Sequence, residues 1–144
     1  MYARALQKCT RLVGHGRTTS SVQLDAAGQR LFGERWAGCV PSDRVPPRRP
    51  DTFLISNLLA SDTGGSHWVC RYVSPDGESA WYDPLAQLGQ AQRQRAGFER
   101  HVRQWTDETP APHDQEAAED NCGQRCLAAL CTADWGGMEA FLQL

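Results

Sequence analysis

Ser66-His67-Trp68-Val69-Cys70-Arg71-Tyr72-Val73-Ser74-Pro75-Asp76-Gly77-Glu78-Ser79-Ala80-Trp81-Tyr82-Asp83 is the stretch that decides the fold class. Its first half alternates in strand fashion, Pro75-Asp76-Gly77 is a strong turn signal, and residues 79–83 read as a return strand. The two halves therefore form an antiparallel hairpin. A hairpin brings the start of one strand beside the end of the other, so His67 and Asp83, sixteen residues apart in sequence, lie near each other.

Working outward, residues 52–59 form a short β-prone apolar run that supplies a further strand. Residues 2–13 read as a short helix with Leu6, Cys9, Leu12 and Val13 roughly on one face, and Gly14-His15-Gly16-Arg17 breaks it. Residues 18–21 offer several caps for a second helix through Val22, Leu24, Ala27, Leu31 and Phe32. Residues 33–41 read as a turn-rich connection. Four prolines and three arginines fall between Pro41 and Pro50, which makes that segment an exposed, extended loop or a polyproline docking motif. On the C-terminal side, residues 90–105 are helix-permissive with Ala96, Phe98, Val102 and Trp105 as the apolar stripe, and residues 106–119 are an acidic loop.

That loop leads into Glu119-Asp120-Asn121-Cys122-Gly123-Gln124-Arg125-Cys126. The apolar pattern at Cys126, Leu127, Leu130 and Cys131 reads as a buried helix with Cys122 at its start, ending near Asp134-Trp135-Gly136-Gly137. A thiol at a helix start lies by the positive end of the dipole and beside unpaired backbone N–H groups, which favours the thiolate. The fold class is then α+β: a small, mostly antiparallel sheet packed against a helix that carries a nucleophilic cysteine at its N-terminus.

The length of 144 residues fits a single domain over 1–144, with residues 1–18 as an extra N-terminal segment. No apolar run approaches the roughly 20 residues of a membrane span, and no apolar core follows the basic N-terminus to make a secretory signal. The six cysteines are read as reduced, because three of them crowd one helix. Zinc-type spacing is absent and no metal is expected. Residues 1–50 hold nine basic and three acidic side chains against a net charge of −2 for the chain. That basic third is either a solvated surface or a weak contact for nucleic acid or an acidic partner.

A cysteine nucleophile needs a base, an acceptor that orients the base, and donors for the developing oxyanion. His67 is the best base because it stands at a strand end, and Asp83 is the acceptor that the hairpin delivers. His113 is a rival in a proline-rich loop. Gln115, seven residues before Cys122, can fold back so that its amide joins the Cys122 backbone N–H as an oxyanion hole.

Thr63-Gly64-Gly65-Ser66-His67-Trp68, Trp81-Tyr82-Asp83-Pro84-Leu85, Gln115 and Asn121-Cys122-Gly123 with Cys126 resemble the adenain family of adenovirus maturation endopeptidases, and more broadly the clan of the SUMO-specific proteases. Arg35-Trp36-Ala37-Gly38-Cys39-Val40 is similar to an upstream segment of that family. The ordered set, running from about residue 22 to 130, is specific where each block alone is weak.

The resemblance implies a thiol protease with catalytic His67, Asp83 and Cys122, an oxyanion hole from Gln115 and the Cys122 amide, and substrate contacts from Gly65 and Trp68. Trp68 would narrow the cleft so that only glycine fits beside the scissile bond. The implied function is cleavage of viral capsid or core precursors at Gly-Gly or Gly-X sites during virion maturation, in the host nucleus and the virion. Two alternatives are a deconjugating or processing protease for ubiquitin-like (SUMO-type) tails and a catalytically dead pseudoprotease kept for binding. No cofactor is expected. The family's peptide activator, joined through a disulfide, is not carried over because no cysteine lies between Cys70 and Cys122, and its DNA activator is not because the net charge of −2 argues against strong DNA binding. Asp83 stands where adenain has glutamate, and the chain after Cys122 is short beside the family pattern.

Overall fold

The computed structural model describes residues 1–14, 20–57, 68–84 and 122–144. The elements are α1 (Tyr2–Val13), α2 (Ser21–Phe32), β1 (Trp36–Pro41), β2 (Thr52–Asn57), β3 (Trp68–Val73), β4 (Ser79–Tyr82) and α3 (Cys122–Leu142). The fold is α+β: a four-stranded sheet in the order β1-β2-β3-β4 with the helices packed on one face. The helix read over residues 90–105, the acidic loop after it, His15 and His113 lie outside the described residues.

The hairpin forms as its sequence requires. β3 and β4 pair antiparallel with Cys70 opposite Tyr82 and Val73 opposite Ser79. Gly77 takes the turn's left-handed conformation at φ 89°, and Ser74 closes it by bonding Glu78 through both backbone and side chain. β2 joins antiparallel on the other side of β3, with Asn57 opposite Trp68.

Residues 36–41 correct the expected turn-rich connection, because they form β1, a strand parallel to β2. The glycine that suggested a turn makes a bulge instead. The register slips between Trp36 and Gly38, leaving Ala37 without its own partner, and Gly38 takes φ 115° there. The proline-arginine segment gains a role from this pairing. To run parallel to β1, the chain must return along the whole strand before β2 starts, and an extended, proline-stiffened path does so in few residues. On the way Val45 packs over Leu54, Val69 and Trp81 on the face opposite the helices, and the Pro46 carbonyl accepts from the buried Arg71 guanidinium at 3.0 Å.

On the helical face, β2, β3 and β4 present Phe53, Ile55, Trp68, Cys70, Tyr72, Ala80 and Tyr82 to the core. An aromatic row crosses it: Phe32 stacks on Phe53 at 4.3 Å, Phe53 on Tyr72 at 5.4 Å, and Tyr72 meets Phe141 at 5.7 Å. α2 starts at Ser20, which forms a capping box with Gln23. Leu24, Ala27 and Phe32 face inward as expected, whereas Val22 is 77% exposed. Gly28 is the close-approach point of α2, with the Trp36 indole lying where a side chain would stand. The same indole donates to the Asp25 carboxylate at 2.8 Å.

α1 runs antiparallel to α3, with Cys9 against Cys131 and Gly14 against Gln124. Its fully buried residues are the small Ala5 and Cys9, and Leu6, Leu12 and Val13 are only partly covered. Small residues at that seam let the two helices approach closely. α3 turns at Gly137, which leaves helical geometry at φ 72°, ψ −167°, so that Phe141 reaches the aromatic row. Among the described residues, no helix is long and apolar enough to cross a membrane.

Candidate active site

Three strand ends and one helix start meet at the same end of the sheet. β2 finishes at Asn57, β3 begins at Trp68 opposite it, and β4 passes directly into Asp83. α3 begins at Cys122. Its second turn is fixed to that end, because the Cys126 thiol donates to the Trp68 carbonyl oxygen at 3.3 Å. Cys122, one turn earlier on the helix, is thereby held near the start of β3 and the end of β4.

Of the residues assigned from sequence, Cys122, Trp68 and Asp83 are described and are brought to this one end. Their exposures of 7%, 7% and 4% make it a largely desolvated setting, where charge interactions are stronger than in water. His67 directly precedes Trp68 in the chain and lies outside the described residues, as do Gly65 and Gln115. The Trp68 indole N–H is buried and has no hydrogen-bond partner among the described residues. An orphan donor of this kind costs about 1–3 kcal/mol until an acceptor reaches it.

The start of α3 is clamped residue by residue. Gln124 donates to the Gly14 carbonyl at 2.9 Å, tying the helix start to the end of α1. Arg125 reaches the Tyr2 hydroxyl at 3.5 Å, and Tyr2 in turn touches the Tyr82 hydroxyl. Cys126 holds Trp68. A helix start fixed by three consecutive side chains cannot swing, which is what a positioned nucleophile requires.

The sequence shows Cys126 as an apolar helix position, and its second duty as the pin to β3 has no sequence signal beyond its one-turn spacing from Cys122. Burial, first of all, pushes the Cys126 thiol well above its ordinary range, and a hydrogen bond with Cys70 and the acidic groups of Cys70, Cys122 and Asp83 push it further. Cys126 therefore stays protonated and remains a donor. All six cysteines are free thiols. Among the described residues, no three His, Cys, Asp or Glu side chains cluster in a way that could hold a metal ion.

Compared with family models and with curated proteins, the chain matches neither a family nor a characterised sequence.

Proposed function

We propose that the chain is a cysteine endopeptidase of the adenain type, cutting viral precursor proteins beside glycine. The observation that carries the reading is the convergence of Cys122, at the start of a clamped helix, with the strand ends that bear Trp68 and Asp83. His67, Gly65 and Gln115 enter from the sequence and its resemblance.

In this reading His67 takes the Cys122 proton, and the sulfur attacks the scissile carbonyl carbon to give a tetrahedral oxyanion. The Cys122 backbone N–H and the Gln115 amide donate to that oxyanion. Collapse breaks the C–N bond as His67 passes its proton to the leaving amine. Water, deprotonated by His67, then attacks the thioester and releases the carboxylate product and the thiol. Asp83 accepts from the second ring nitrogen and keeps the imidazole in one tautomer. By the same resemblance, Trp68 with Gly65 would narrow the cleft and favour glycine.

The test is turnover of a fluorogenic Gly-Gly peptide by the full chain and by Cys122→Ala and His67→Ala. Turnover by the wild type, abolished in the first variant and nearly so in the second, supports the proposal; no wild-type turnover, or cleavage that persists in either variant, overturns it. Labelling of Cys122 by a ubiquitin-like suicide probe, with no turnover of the peptide, would reassign the substrate to ubiquitin-like tails.

A further inference from the structure

Away from the sheet end, α1, α2 and the Trp135 end of α3 enclose an open groove of about 890 Å³. Arg4, Lys8 and Arg11 line it from one face of α1, and Arg30 from α2. Among the described residues no carboxylate lines it, and none of the four cations is in a salt bridge. Like charges one helical turn apart repel and destabilise the helix that carries them. Here no partner within the described fold offsets that repulsion.

The floor between the cations is apolar. Leu12 and Leu31 line it, and Trp135, 45% exposed, forms one wall with the Lys8 ammonium 5.8 Å from its ring centroid. An exposed tryptophan inside a ring of unpaired cations combines an anchor pocket with an anion-recognising rim. A nucleic-acid backbone would engage the rim and leave the floor empty. With four cations on a chain of net charge −2, counterion release is also small.

We infer that this groove binds an acidic linear peptide segment, whose carboxylates pair with Arg4, Lys8, Arg11 and Arg30 while one large apolar side chain packs against Trp135 and Leu31. Arginine suits the task because its guanidinium takes a carboxylate in two parallel hydrogen bonds. The inference is independent of the protease reading, since the groove shares none of that reading's residues.

The test is fluorescence anisotropy of a short glutamate-rich peptide with one central leucine, labelled with fluorescein, titrated with the full chain at low salt. Saturable binding is expected, weakening by at least about tenfold in Arg4→Glu/Arg11→Glu and, independently on the other helix, in Arg30→Glu. Trp135→Ala should weaken the leucine peptide several-fold and leave a peptide with serine in its place unaffected. All four positions are exposed, and circular dichroism checks that the variants fold. Absence of saturable binding, binding indifferent to the charge reversals, or an oligothymidylate binding as tightly as the peptide would each overturn the inference.

Discussion

The Cys126 thiol hydrogen-bonds the Trp68 carbonyl at 3.3 Å, joining the helix that begins at Cys122 to the strand residue that follows His67. The proposed nucleophile's helix and the start of β3 are thus held together by one buried contact. Cys126→Ala should lower stability by about 1–2 kcal/mol through the lost hydrogen bond and the small cavity. Its larger effect should fall on kcat, with KM little changed. Cys126→Ser, which keeps a donor, should recover part of that loss. Steady-state kinetics beside thermal melts separate the two effects.

Asp83→Asn tests the proposed orienting carboxylate. The amide is nearly isosteric but stabilises the wrong imidazole tautomer, so kcat should fall by at least about a hundredfold. The melting midpoint should move far less than in a core truncation. Equal rates in both proteins would remove Asp83 from the mechanism.

Gly28→Ala should destabilise the fold, although alanine is the better helix former by about 1 kcal/mol. The added Cβ would stand 2.2 Å from the Trp36 indole, which is itself stacked on Phe32 and bonded to Asp25. Overpacking of this kind typically costs about 1–3 kcal/mol, so the clash outweighs the propensity gain. Urea unfolding decides the sign.

Arg71 is buried, with its guanidinium 5.7 Å from the Trp81 ring centroid and bonded to the Pro46 carbonyl. Burial, with the nearby Arg48, lowers it to about 10, which leaves it charged at neutral pH. Replacing a buried charge by a hydrophobe of similar length is often neutral or stabilising. Arg71→Met should therefore hold or raise the melting midpoint while releasing the segment tied at Pro46. Faster trypsin cutting after Arg44 and Arg48 is the expected readout.

The alkaline limb of stability should report Cys39. Burial, and secondarily Asp25, pushes its thiol from 9.0 up to about 12. Above pH 9 the unfolded chain releases this proton while the folded chain retains it. Stability then falls as pH rises through the window from about 9 to 12. Cys39→Ala should flatten part of that fall, and Tyr72, shifted upward mainly by burial, accounts for some of what remains. Urea midpoints at mildly and strongly alkaline pH test this.

The hairpin was legible because alternation and turn chemistry are both local, and Gly77 occupies the conformation that glycine favours. The Cys122 helix was legible for a similar reason: its apolar spacing matches the face that Cys126, Leu127 and Leu130 bury. β1 was not, because Gly38 and Pro41 argue against a strand and only pairing with β2, a non-local fact, makes one. Nor could sequence show that the proline-rich segment covers the second face of the sheet. At the site, Cys122, Trp68 and Asp83 were each named from sequence. The clamps at Gln124 and Arg125 were missed, since their partners Gly14 and Tyr2 stand more than a hundred residues away.

That distance bears on how the molecule comes into being. The strands emerge from the ribosome well before α3, and α1 waits more than a hundred residues for the helix it packs against. Contacts of such wide separation form late and slowly. The thiol at Cys122 thus reaches its setting only when the earliest and latest described segments close upon each other. A nascent chain in which residues 122–142 have yet to emerge holds no such setting.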